Sequence, residues 1–195
     1  MHSPRFIVAV PIVILSAAFS LSQNAERNQT VLLKEVHFSG DLGVSADKLR
    51  QYTEFLTGHR LERKKLAEDA SDAVGNALRH RGYLKAQVTP QLQRLKPSRG
   101  SKDAEVALEL TIKAGKQYRV KALTFVGLSN QLAERDLKQA CTVHSGEIAD
   151  GEEIGSCLQN LRTLFHQKGQ DVFVVPSMKF DDATSTVFLQ LDVEK

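Results

Sequence analysis

Cys141 and Cys157 are the only thiols in the 195-residue chain. His144 follows Cys141 at a spacing that could form half of a zinc site, or a thiol nucleophile beside its base. No second matched pair of ligands follows, so a closed metal site lacks donors. A thiol enzyme would need a free, reactive Cys141, whereas two thiols in an oxidising compartment favour a disulfide. The remaining histidines are scattered: His2 near the amino terminus, His37 in a strand pattern, His59 and His80 among basic residues, and His166 on a helical stretch. No phosphate-binding glycine loop, nucleophile elbow or metalloprotease motif is present. The expectation is a non-enzyme with no catalytic residue, no metal ligand, no cofactor and no small-molecule substrate. A small-ligand or thiol enzyme is the competing class, and blocking of both thiols until reduction discriminates against it.

Composition agrees. Charged residues make up 25% and hydrophobic residues 42%, which is globular rather than disordered. Lys and Arg number 26 against 23 Asp and Glu, a net charge of +3. That balance excludes a dedicated nucleic-acid binder, whose affinity rests on many phosphate-neutralising side chains.

Residues 1–22 carry one formal charge, Arg5, before an apolar run from Phe6 to Phe19 and small residues at Ser20 and Ser22. Fourteen helical residues rise about 21 Å, short of the roughly 30 Å hydrocarbon core. The segment reads as a secretory signal peptide cleaved after Ser22, followed by a linker over 23–30. The competing reading keeps residues 6–21 as a membrane anchor. Under either, the rest of the chain is exported.

The elements that follow are one pattern written twice. Val36-x-Phe38-x-Gly40 returns as Leu123-x-Phe125-x-Gly127 at an offset of 87, and Arg81-Gly82-Tyr83 returns as Lys168-Gly169-Gln170 at the same offset. Leu49 and Gly58 return as Leu137 and Gly146 at an offset of 88, and Pro90 is answered by Pro176. Two domains follow, 31–117 and 118–195. In the first, alternation predicts a strand over 31–39, and Ser45 caps a short helix that Gly58 ends. The second helix then begins in the cluster His59, Arg60, Arg63, Lys64 and Lys65 and carries Leu66, Ala70, Ala73, Ala77 and Leu78 inward. Strands over 83–92 and 104–113 complete the unit. The second unit repeats this with a strand over 118–126, helices near 131–141 and 151–168, and strands over 171–180 and 185–194. Ile154, Cys157, Leu161 and Leu164, widened by Leu158 and Phe165, form the inward stripe of its second helix. The fold class is α+β: two tandem βααββ domains, each a small three-stranded sheet covered by a helical pair. Cys141 at the end of one helix and Cys157 on the inward stripe of the next can meet as a disulfide; two reduced core cysteines are the alternative.

The first domain carries 16 basic against 11 acidic residues and the second 8 against 11, giving +5 and −3. Arg60, Arg63, Lys64 and Lys65 form a basic surface at a helix start, where basic charge opposes the macrodipole. It is either a solvated face or a surface for acidic partners or anionic headgroups, the latter implying peripheral membrane association. The opposite signs also favour docking of the two units.

LKEVHFSG and RVKALTFVG, then RGYLKAQVTP and KGQDVFVVP, resemble the polypeptide-transport-associated (POTRA) domain, in two tandem copies over essentially the whole mature chain. The sequence departs from the family pattern in reaching Lys195 without the alternating segments of a membrane β-barrel, and in Gln170 where Tyr is usual. The resemblance implies a periplasmic, outer-membrane-associated scaffold for protein transport, with a β-barrel protein or unfolded polypeptide as partner. It nominates the strand after each second helix as an exposed edge for an added strand: Tyr83, Lys85, Gln87 and Val88 in the first domain, Val172, Val174 and Val175 in the second. An inner-membrane-anchored division or envelope scaffold is the alternative.

Overall fold

The computed structural model describes residues 29–96, 98, 100, 103–127 and 134–194. The expected signal peptide, most of the linker and the start of the helix near 131 lie outside these residues. Strand β1 (Thr30–Asp41) leads to helix α1 (Ala46–Thr53), a single 3-10 turn (Glu54–Leu56), strand β2 (Arg60–Glu62) and helix α2 (Arg63–Arg79). Strands β3 (Gln87–Arg94) and β4 (Ala104–Lys113) close the first unit. The second comprises β5 (Arg119–Val126), α3 (Glu134–Ala140), α4 (Gly151–Gln167), β6 (Phe173–Asp181) and β7 (Thr186–Glu194). The sheets are ordered β2-β1-β4-β3 and β5-β7-β6, with β1 parallel to β4 and β5 parallel to β7.

The first sheet therefore has four strands, not the expected three. Arg60–Glu62, read in the sequence as the beginning of a helix, pairs antiparallel with Thr30–Leu32. The cause is backbone satisfaction: the Gly58 N–H donates to Leu33 O at 2.9 Å, which lays the following residues along β1. Three residues are too few to show a periodicity of two. The second domain keeps this strand as one bridge, Arg119 to Ile148, with Gly146 N–H donating to Val120 O at 2.7 Å.

Each domain's first strand changes phase midway. Val31 and Leu33 are buried, then Val36 and Phe38 face the same core, because the register with β4 slips between Leu33 and Glu35. Lys34 is the extra residue of a bulge. β5 slips identically between Val120 and Ala122, around Lys121, 87 positions on. The bulge explains why alternation in the sequence is broken at Lys34.

Helix α1 is capped by Ser45, whose hydroxyl accepts from Lys48 N–H, and ends before Gly58, with a 3-10 turn between. On α2 the buried stripe is Leu66, Ala70, Val74, Ala77 and Leu78; Val74 takes the inward place expected of Ala73. On α4 it is Ile154, Cys157, Leu161 and Phe165, with Leu158 and Leu164 packed at its margin. Both helices stop in the same way. Tyr83 N–H donates back to Leu78 O at 3.1 Å and Gln170 N–H to Phe165 O at 3.0 Å, with Gly82 and Gly169 at positive φ. Cys141 and Cys157 are joined as a disulfide between the end of α3 and the inward face of α4.

Candidate functional site: two edge strands and the junction between domains

Strands β3 and β6 lie at the outer edges of their sheets, each beside its domain's longer helix. Pro90 and Pro176 sit within them, opposite Leu110 and Leu191. A proline has no N–H to give a neighbour, so it fits an antiparallel pair where the backbone points outward. Residues two apart share that direction. Val88, Pro90 and Leu92 therefore aim their backbone groups away from β4, and Val174, Pro176, Met178 and Phe180 away from β7. Two of these outward carbonyls are already engaged: Arg63 donates to Leu92 O at 3.3 Å and Arg162 to Val174 O at 3.4 Å. On β6 this leaves the run from Pro176 to Phe180 with its outward groups together. β6 also exposes Phe173, Val175 and Met178, whereas Val88 and Leu92 on β3 are half-buried.

Of the residues singled out in the sequence, Gln87 and Val88 lie in β3, and Val174 and Val175 in β6. Tyr83, Lys85 and Val172 precede the strands. The Tyr83 hydroxyl donates to Gly43 O at 2.7 Å, tying the end of α2 to the β1–α1 turn. Lys85 reaches the second domain: its ammonium donates to Asp182 Oδ1 at 2.7 Å and stands 4.5 Å from the Phe180 ring centroid. The basic cluster is divided among structural partners. Arg60 pairs with Asp103 at 2.8 Å, Lys64 with Glu68 at 3.6 Å, and Arg63 holds β3. Lys65 is exposed.

The junction around Asp182 went unseen in the sequence, because its members are separated by up to 97 positions. The Tyr118 hydroxyl also donates to Asp182 Oδ1, and the Lys116 ammonium to Asp182 O. The Tyr118 and Phe180 rings meet edge to face with centroids 4.9 Å apart. The Lys85 hydrogen bond, then that of Tyr118, holds the Asp182 carboxyl below its ordinary range. Lys85 is raised chiefly by Asp182, and Tyr118 is raised chiefly by burial and then by its bond to Asp182. Around it, Gln117 Nε2 donates to Arg81 O at 2.8 Å, Tyr118 N–H to Gly82 O at 2.8 Å, and His80 lies 3.4 Å from Glu152. These contacts set the basic side of the first domain against acidic residues of the second. Among the described residues no group of three or more His, Cys, Asp or Glu could hold a metal, and no helix is long and apolar enough to cross a membrane.

Residues 31–115 match the POTRA family model, described as a surface antigen variable number repeat. Among solved structures, the POTRA3-5 segment of BamA from Haemophilus influenzae is similar with a TM-score of 0.67 at 20% identity, over 85% of this chain and 66% of that one. BamA from Haemophilus ducreyi lacking POTRA domains 1-3 is similar with a TM-score of 0.65 at 17% identity, over 85% of this chain and 29% of that one. The chain thus spans about two thirds of the first structure and under a third of the second. No curated protein matches the sequence.

Proposed function

From a chain of two tandem domains with the POTRA fold, the first matched by the family model itself, we propose a periplasmic scaffold that binds polypeptide during outer-membrane protein assembly or secretion. The observation that carries this reading is that β3 and β6 are outer strands, neither paired on its outward side with another strand among the described residues, each lying beside a helix. An extended chain adds to such an edge through main-chain hydrogen bonds, which are indifferent to sequence and suit a binder of many unfolded strands. The β6 edge is the stronger of the two. Its outward N–H and C=O groups at Met178 and Phe180 adjoin exposed apolar side chains, so backbone pairing gains apolar contact with alternate side chains of the added strand. On β3, Pro90 lacks its donor and Arg63 occupies the Leu92 carbonyl, which confines pairing to the end at Val88.

The role is one of binding rather than catalysis. Its cargo is an unfolded outer-membrane polypeptide or the strand of a barrel protein. The test is a titration of the isotope-labelled chain with a peptide of about ten residues alternating apolar and polar, the pattern of one barrel strand. Amide shifts and slowed hydrogen exchange at Met178 and Phe180, with weaker effects at Val88, are the expected result. Unperturbed β3 and β6 amides at saturating peptide would overturn the reading.

A further inference from the structure

Each sheet has a second face, turned away from its helices, and the shared register lets the two faces be compared position by position. Gly40 against Ile112 answers Gly127 against Val193, and Pro90 opposite Leu110 answers Pro176 opposite Leu191. On the first sheet the open face is polar, and its members satisfy one another. Ser39 Oγ donates to Glu109 Oε1 at 3.1 Å, Gln93 Nε2 donates to Glu109 Oε2 at 3.3 Å, and His37 lies 3.1 Å from Glu35. On the second sheet the places of Ser39, Gln87, Thr89 and Ala107 are taken by Val126, Phe173, Val175 and Phe188, all exposed. The contact with the first domain, through Leu84, Ile148 and Asp182, does not use this face. Apolar side chains gathered on one face, rather than scattered singly, mark a surface that a partner covers.

Charge on the same face is divided between its two ends. At the end near the β6–β7 turn, Lys179 is paired with Phe188, and the Lys121 ammonium stands 4.9 Å from the Phe188 ring centroid. Asp181 lies at this end too, but its carboxylate accepts from the N–H groups of Ala183 and Thr184. The far end carries Asp192, between Val126 and Val175, and then Glu194 opposite Phe173.

We infer that a second copy of this chain covers the open face of the second sheet, with its strands antiparallel to those beneath. A two-fold axis lying across the strands sets the end with Lys121, Phe188 and Lys179 over the row Val126, Asp192 and Val175 of the other copy. Lysines then meet carboxylates twice, and each Phe188 falls between two valines. A two-fold axis along the strands would set lysine on lysine and carboxylate on carboxylate, so charge selects the first arrangement. Three strands of eight or nine residues form the face. At about 4.8 Å between strands and about 3.3 Å per residue it spans roughly 400 Å² per copy, half of the roughly 800 Å² per partner in a stable complex. The pair is therefore weak, with a dissociation constant on the order of 0.1 mM.

Sedimentation of the chain isolated from its native envelope, between about 10 μM and about 1 mM, tests the proposal. The mass should rise toward that of a dimer and stop there, because a two-fold contact closes on itself. Lys179→Glu and Asp192→Lys should each raise the dissociation constant about tenfold. Both together in one chain should restore it, since the pair between copies then re-forms with its signs exchanged. Phe188→Ser should abolish association over the same range. A monomer throughout, growth beyond the dimer, association indifferent to the two reversals, or a double variant no tighter than the single ones would each overturn the inference. So would association lost in Met178→Pro, because that assigns the contact to the β6 edge. The open face does not use the outward backbone of β6, so self-association and peptide binding at that edge fail independently.

Discussion

Gly40 and Gly127 end β1 and β5 at φ of +89° and +78°, and a Cβ on either would lie 2.3 or 2.4 Å from the carbonyl oxygen of Ile112 or Val193. The Phe-x-Gly signature in the sequence is thus a steric requirement of the parallel neighbour strand. Gly40→Ala should cost about 2 kcal/mol or more, since neither the backbone carbonyl nor the positive φ can give way. Gly155→Ala, in mid-α4 with open space around it, should instead stabilise by about 0.5–1 kcal/mol. Urea denaturation of both variants checks the pair, and similar effects in the two would refute the steric account. Reducing the Cys141–Cys157 bond, which closes a loop across a sequence separation of 16, should lower the second domain's stability by about 3 kcal/mol. Domain-resolved hydrogen exchange with and without reductant measures it, and the first domain should not change. Glycine anchors and the cysteine pair were legible in the sequence because each depends on one residue type at one position.

At the scale of elements, the helices and longer strands were legible from their periodicity, whereas β2, the Lys34 and Lys121 bulges and the true start of β3 were not. A bulge reverses the alternation that reveals a strand, and Arg-Leu-Glu in a basic cluster reads equally well as a first helical turn. Tyr83 and Lys85 continue the alternation of β3 in the sequence, yet one is spent on Gly43 and the other on Asp182. The edge of β6 permits a direct test of backbone pairing. Met178 aims its N–H outward, in the same direction as Pro176 two residues earlier, where this edge strand already holds a proline, so Met178→Pro removes a donor without breaking the ladder to β7. The variant should keep its urea midpoint close to that of the parent and lose most of its affinity for an added strand, read by the amide titration. Ser177→Pro, one residue earlier, points the lost donor at β7 and should unfold the sheet's edge instead. Equal peptide affinity in Met178→Pro and parent would show that the strand does not pair there.

At the scale of the whole molecule, the relation between the domains rests on a solvated polar cluster over a small aromatic contact. Lys85 and Asp182 are both substantially exposed, so their attraction is screened and its value lies in orientation more than stability. Asp182 accepts from Lys85 and Tyr118 at once, and Lys116 fixes its backbone, so one residue at a hairpin tip joins the linker and the end of α2 to the second sheet. The Asp182 carboxyl titrates below the ordinary 3.8 when folded. Its contribution is therefore complete above that value and is lost as pH falls through the lower folded value. Lys85 and Tyr118 titrate above their ordinary 10.5 and 10.0, so their contributions are complete below those values and are lost as pH rises through the raised ones. Between these limits the junction is intact. Spin labels on the exposed faces of α1 and α4 would then report one narrow interdomain distance distribution at neutral pH. It should broaden for Asp182→Ala at neutral pH, and for the parent only in strong acid or strong alkali. Lys85→Met should broaden it less, because the Tyr118 hydroxyl still reaches Asp182 and methionine still covers the Phe180 ring. A distribution unchanged by Asp182→Ala would place the orientation in the apolar contacts of Leu84, Ile148 and the Tyr118–Phe180 pair. Those contacts would then hold the two edge strands at a fixed angle without help from the charges.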